Sequence, residues 1–328
     1  MRNSSIELLR ILCIIGIVLM HILGYYWNTT DSVMRANILA VNSIANCGVT
    51  IFVLISGFYG IRFSVKKLFG LTNVVWFYTW TALLVMFICE ALTMKYSVLI
   101  AFIFPILCGK YWFITAYCLI FCLAPYLNKI KELLTKKQFQ ILLGILTLFF
   151  YLAPTVTKTE ILHDGGKGVV NLTTVYLIGQ YFSKYGFHRF FDKYILWKIG
   201  GFIGIIFLLN ILSTTARDSI CQPFSHDNSI LILVTSILIF NYALKHEFFS
   251  EKVNKCAKFV LPIYILNGYF MRLLPHVEAS PMLTLLACFG MALGICVVAA
   301  GIEKLRQISI GSFCEYVAET ASQHIHVN

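Results

Sequence analysis

Apolar residues recur along this chain in long runs separated by short polar stretches that carry most of its lysines. An apolar run of about 20 residues can cross the hydrocarbon layer of a bilayer as a helix, which satisfies every backbone N–H and C=O within the segment. Ten such runs are predicted, over residues 8–27, 38–58, 71–92, 112–127, 139–156, 169–182, 195–212, 230–244, 259–274 and 282–302. An eleventh, 98–107, is too short to cross and ends at Pro105 and Gly109, so it reads as interfacial or re-entrant. The fold class expected is all-α, a polytopic transmembrane bundle of about ten spanning helices. One membrane domain, 1–307, is followed by a short cytoplasmic tail, 308–328.

Composition supports this picture. Of 328 residues, 59% are hydrophobic and 12% charged, an excess of apolar residues that a soluble core could not hide. The net charge of +11 does not mark a nucleic-acid partner, because the cations sit in the short connections and form no single patch. With both termini inside, 19 of the 26 Lys and Arg fall on the cytoplasmic side. Only Arg35, Lys95, Lys110, Lys158, Lys167, Arg217 and Arg272 remain outside, the asymmetry that the positive-inside rule predicts. The protein therefore reads as a multi-pass membrane protein with both termini cytoplasmic. The first run lacks a small-residue cleavage site, since His21 to Trp27 is bulky, and is read as a retained helix. Cysteines such as Cys13, Cys47, Cys89, Cys118 and Cys296 lie in apolar runs and read as small core residues. Cys108 and Cys221 are the one pair placed to form a disulfide.

Candidate chemistry concentrates in the first run. Ionisable groups at membrane depth are costly without a partner or a cavity. Eleven residues separate Arg10 from His21, which returns the side chain to within about 20° on the helix face and sets it ~16 Å further along the axis. Glu7, three residues before Arg10, can pair with it. His21 is the only histidine inside a predicted span; His163, His188, His226, His246, His276, His324 and His326 fall in connections or the tail. The outer pairs His163-Asp164 and His226-Asp227, with His276 and Glu278, lack metal-ligand spacing and read as solvated loop polarity. No metal site is expected. Tyr25, Tyr26, Trp27, Tyr111 and Trp112 suit sugar stacking and an interfacial aromatic belt equally.

The pattern Arg10-x10-His21 with a carboxylate at Glu7 resembles the acyltransferase 3 family of membrane acyltransferases. The resemblance extends through Phe52-Val53-Leu54-Ile55-Ser56-Gly57-Phe58, through Trp112-Phe113 with Tyr117 and Pro125, through Leu127-Asn128, through Tyr176-Leu177-Ile178-Gly179 and to Asn228-Ser229. Two positions depart from the family pattern. Asn267 stands after Ile263-Tyr264-Ile265-Leu266 where a histidine is common, and a single Arg62 followed by Lys66-Lys67 replaces an arginine pair.

The resemblance implies an acetyl-CoA-dependent O-acyltransferase with a cytoplasmic acyl-CoA donor and a cell-surface or lipid-linked glycan acceptor. His21, Arg10 and Glu7 would be catalytic, and Arg10, Arg62, Lys66 and Lys67 would hold the donor's phosphorylated end. Trp112, Tyr117 and Asn267 would contact substrate. The outer loops are where an extracytoplasmic glycan-processing partner would dock, and lipid surrounds the rest. A proton-coupled secondary transporter or flippase of a glycan-related solute is the competing class, because buried Arg, Glu and His also suit a proton path. Absence of a Walker loop excludes ATP-driven transport by this chain.

Overall fold

The computed structural model of the chain describes residues 3–88 and 96–324. Arg2, Lys95, residues 89–92 of the third predicted span with Cys89, and the tail end with His326 lie outside them. The described residues are all helical or irregular: α1 (Ser4–Leu23), α2 (Ser32–Ala45), α3 (Cys47–Tyr59), α4 (Val65–Ile88), α5 (Tyr96–Ile103), α6 (Trp112–Leu133), α7 (Lys136–Thr147), α8 (Ala153–Thr157), α9 (Val169–Tyr185), α10 (Arg189–Asp192), α11 (Ile195–Arg217), α12 (Ile230–Lys245), α13 (Glu251–Cys256), α14 (Val260–Phe270) and α15 (Pro281–His324). Seven helical stretches among these residues are long and apolar enough to cross a membrane. Helices α9, α12 and α14 are shorter, and together the ten match the ten predicted runs in order.

Helix ends follow local chemistry. Asn3 accepts from the Ser5 amide and Asp31 from the Met34 amide, satisfying first-turn donors of α1 and α2. Thr135 and Gln138 form a reciprocal capping box on α7. Between α7 and α8 the chain makes a π-helical turn, Leu148–Leu152, just ahead of Pro154, whose ring cannot tolerate a regular turn before it. The last run was expected to end at residue 302, but α15 continues as one helix through His324. Consequently Arg306, placed from sequence in a connection, is buried beside Glu303.

Large apolar side chains such as Leu84, Phe87 and Val297 are more than half exposed along the spans, which suits lipid and not water. Helix-to-helix contact therefore rests on close approach and polar bonds. The tightest crossing joins α3 to α9. A Cβ added at Gly57 would land on the Tyr176 carbonyl, and one added at Gly179 would sit 2.6 Å from the Leu54 carbonyl oxygen. Glycine is required at both, since no other residue lets the backbones approach so closely. Below the crossing, Tyr176 donates to Asn128 Oδ1 (2.8 Å) and receives the Ile61 amide (3.0 Å), while Asn128 Nδ2 donates to the Ile61 carbonyl (2.9 Å).

A second polar cluster joins α4 to α15. Arg306 donates from Nε and Nη2 to the Glu303 carboxylate, each at 2.7 Å, and the Tyr78 hydroxyl donates to the same carboxylate at 2.5 Å. All three side chains are buried.

Contacts between connections sort by end of the bundle. At the lower end, where α1 begins, Asn3 meets Glu247 and Lys245 meets Asp192. At the upper end, where α1 finishes, Arg35 pairs with Asp218, Tyr26 stacks on His276, and Asn228 bonds Glu160.

Candidate functional site

A cavity of about 820 Å³ opens at the lower end and runs up between α1, α3, α6 and α14. Its α1 wall is Ile6, Glu7, Arg10, Ile14 and Ile17, a stripe at three- and four-residue spacing that the helical repeat dictates. From Asn3 at the mouth to Ile17 is fourteen residues, or ~21 Å along the helix. The facing walls are mostly apolar, from Phe52, Ile55, Ile114 and Val260, with Ser56, Tyr117 and Tyr264 as polar exceptions.

Arg10 and Glu7 both line this cavity, and Arg10 Nη1 meets Glu7 Oε2 at 2.8 Å. Glu7 is buried and Arg10 half-buried, so the pair presents a guanidinium face to the cavity while its charge is balanced. Tyr117 also lines it, its hydroxyl 3.2 Å from Ser56 Oγ. Arg62, Lys66 and Lys67 do not. Arg62 lies on the connection into α4 and Lys66 and Lys67 in its first turn, all exposed, with Lys66 paired to Glu319 at 2.5 Å. Arg62 nevertheless follows the lining residue Tyr59 by three positions, and Lys67 precedes the lining residue Leu71 by one turn.

His21 sits on the Arg10 stripe one turn above Ile17, just past the upper limit of the cavity. Its Nδ1 is 2.9 Å from Asn267 Oδ1 on α14. The Asn267 amide nitrogen donates to the carbonyls of Ile263 (3.4 Å) and Tyr264, which turns the amide oxygen toward the histidine. That oxygen can only accept, so Nδ1 carries the hydrogen and Nε2 keeps its lone pair. The position where the family often has a second histidine thus supplies the orienting acceptor for the first. Four of the lining residues belong to a cluster of rings around Phe113, which contacts Tyr264 (5.8 Å), Tyr117 (5.9 Å), Trp112 (5.9 Å) and Phe52 (6.3 Å).

The sequence-based profile of the acyltransferase 3 family, described as an acyltransferase domain, matches residues 3–301. The chain belongs to the acyltransferase 3 family. It is a multi-pass membrane acyltransferase, and an acyl donor follows from that membership. No curated protein and no solved structure matches the chain.

Other sequence candidates lie apart from this cavity and from His21. His188 caps α10, His246 bonds the Tyr242 carbonyl (2.8 Å), and His276 stacks on Tyr26 (4.7 Å). Among the described residues no group of three or more His, Cys, Asp or Glu is arranged to hold a metal. Cys108 and Cys221 are both free thiols and form no disulfide.

Asp227, read from sequence as loop polarity, is only partly exposed. Its carboxyl is pushed up to about 7, chiefly by burial and further by Asp164, with Lys167 opposing. Sequence reasoning passed over it because a loop aspartate is usually solvated. The available signal was its place directly before Asn228-Ser229.

Proposed function

We propose that this acyltransferase moves an acetyl group from cytoplasmic acetyl-CoA to a hydroxyl of a cell-surface or lipid-linked glycan at the outer face, with His21 as general base. The observation that carries the reading is the Asn267-held His21, whose Nε2 lone pair lies one turn beyond a cavity bearing Arg10. The excess of basic residues at the lower connections supports making that end cytoplasmic. The cavity's length and apolar walls suit a thin pantetheine arm. Phosphates at its other end fit Arg62 and Lys67 beside the mouth, with Arg10 closer to the thioester.

In the reaction the acceptor O–H attacks the thioester carbonyl carbon as His21 Nε2 takes the hydroxyl proton. Asn267 Oδ1 stabilises the imidazolium through Nδ1–H. The C–S bond then breaks, and the imidazolium returns its proton to the departing thiolate, giving the acetyl ester and free coenzyme A. Phe113 and Tyr264 line the cavity, with Tyr264 one turn from Asn267, so their rings help to keep water from the thioester of a seated arm.

The test is transfer of labelled acetyl from acetyl-CoA to de-O-acetylated surface polysaccharide by the protein in liposomes. His21→Gln keeps a hydrogen-bonding group but accepts no proton, and transfer should fall by ~10²–10⁴. Transfer at the wild-type rate would refute the assignment. Mass spectrometry of polysaccharide from cells with and without the gene reports acyl mass and position together.

A further inference from the structure

The connection between α12 and α13, residues 246–250, borders the lower mouth of the cavity and is pinned there to the start of α1. The Ser4 amide donates to the Phe248 carbonyl (3.0 Å), the Ser250 amide donates to Ser4 Oγ (2.8 Å), and Asn3 Nδ2 donates to Glu247 Oε1 (3.1 Å). These bonds fix the backbone of the strap. Its side chains Glu247, Phe248 and Phe249 all line the cavity and all stay exposed.

Phe249 is 62% exposed, although it borders a cavity of ligand size. Lipid does not account for the bare ring. It stands among Lys245, His246, Glu247, Ser250 and Glu251, whose charges and polar groups keep the segment out of hydrocarbon. A ring held open at the rim of a cavity offers a face to a flat partner, and every nucleobase has a π-face to stack on it. Glu247 narrows the choice of partner. It makes no ion pair among the described residues, and a carboxylate accepts hydrogen bonds but donates none. Phosphate beside it would be repelled, whereas the exocyclic amine of adenine brings N–H donors. The cations that suit phosphate, Arg62 and Lys67, come from a different segment, the one that follows α3.

Cavity depth puts a base at this rim. From Asn3 at the mouth to Ile17 is ~21 Å along α1, and an extended pantetheine arm takes up most of that length, so the nucleotide that follows it emerges at the mouth. Resting on the acyl-transfer reading above, we propose that Phe249 and Glu247 form the adenine subsite of the acyl donor, in which the base stacks on the Phe249 ring and its exocyclic amine donates to Glu247 Oε2. The subsite makes the enzyme select coenzyme A thioesters over the same arm carried without a nucleotide, as it is on an acyl carrier protein.

The experiment compares acyl donors on full-length protein in liposomes, with de-O-acetylated surface polysaccharide as acceptor. The donors are acetyl-CoA, acetyl-etheno-CoA, which keeps the phosphates and a stacking face but has no exocyclic N–H, and acetyl-phosphopantetheine, which has no base. The preference for acetyl-CoA over acetyl-phosphopantetheine, read as the ratio of KM values, should shrink about tenfold in Phe249→Ala and be largely restored in Phe249→Tyr, since stacking on an aromatic side chain contributes about 5- to 150-fold per base. Glu247→Ala should raise the KM for acetyl-CoA severalfold while that for acetyl-etheno-CoA stays within about twofold, because the etheno base cannot make the bond that is lost. Unchanged preference in Phe249→Ala overturns the proposal, and so does an equal loss with every donor, which would make the strap a structural wall of the cavity. A lower KM for acetyl-CoA in Glu247→Ala overturns it as well, since that result would put phosphate beside the carboxylate. If the wild-type protein moves acetyl from none of the donors, the acyl-transfer reading is overturned instead.

Discussion

Asn267→Leu isolates the orienting bond from the rest of the site. Leucine has the same number and branching of side-chain heavy atoms as asparagine, and position 267 does not line the cavity. What is removed is the acceptor 2.9 Å from His21 Nδ1. Stranding a buried N–H costs about 1–3 kcal/mol. The imidazole escapes that cost by turning, or by moving its proton to Nε2, and either change removes the base. Since ~1.4 kcal/mol is tenfold in a population, kcat should fall between about 5- and 150-fold. The KM for acetyl-CoA should stay within about twofold, because no cavity-lining group is altered. Asn267→Asp keeps an oxygen facing Nδ1 and should recover most of the rate. The assay is initial-rate transfer of labelled acetyl in liposomes, alongside thermal unfolding of each variant. Wild-type turnover in Asn267→Leu, or equal impairment of two well-folded variants, would refute the orienting role.

Three further outcomes follow from the same contacts. Gly57→Ala puts a methyl 2.9 Å from the Tyr176 carbonyl carbon where carbon atoms need ~3.5 Å, so α3 and α9 must separate; a loss of about 1–3 kcal/mol is expected in detergent unfolding, and an unchanged midpoint would contradict the crossing. Glu303→Ala removes the carboxylate that the buried Arg306 bonds at 2.7 Å and should cost about 3–5 kcal/mol, whereas the double change Glu303→Leu with Arg306→Met should be far milder, which a double-mutant cycle measures. Arg10→Lys cannot reproduce a planar guanidinium paired to Glu7 at 2.8 Å, so acetyl-CoA affinity should weaken by titration; full affinity would reduce Arg10 to an anchor.

Much of the architecture was legible in the chain because lipid imposes one solution. Backbone groups in hydrocarbon must bond within their own helix, so run length alone reports the apolar helices. The Arg10–His21 stripe was equally legible, being fixed by the 3.6-residue repeat within one helix. Boundaries were less so. Residue 302 looked like an end because Glu303, Lys304 and Arg306 read as polar, yet Glu303 and Arg306 neutralise each other and bond Tyr78, so the helix continues past them.

Sequence by itself therefore determined the helical membrane class, the order of the apolar helices, the acyltransferase resemblance and the helix face shared by Arg10 and His21. Tertiary structure alone decided what meets that face. Asn267 is 246 positions from His21, Tyr78 is 225 from Glu303, and Asn228 is 68 from Glu160, separations across which no local periodicity carries information. The contact of Gly57 with Tyr176, and the burial that changes Asp227 from loop polarity to a carboxyl poised near neutrality, arise only when helices far apart in the chain pack. The physical reason is that lipid dictates the secondary structure of each segment separately, whereas partners, tautomers and desolvation depend on which segments become neighbours.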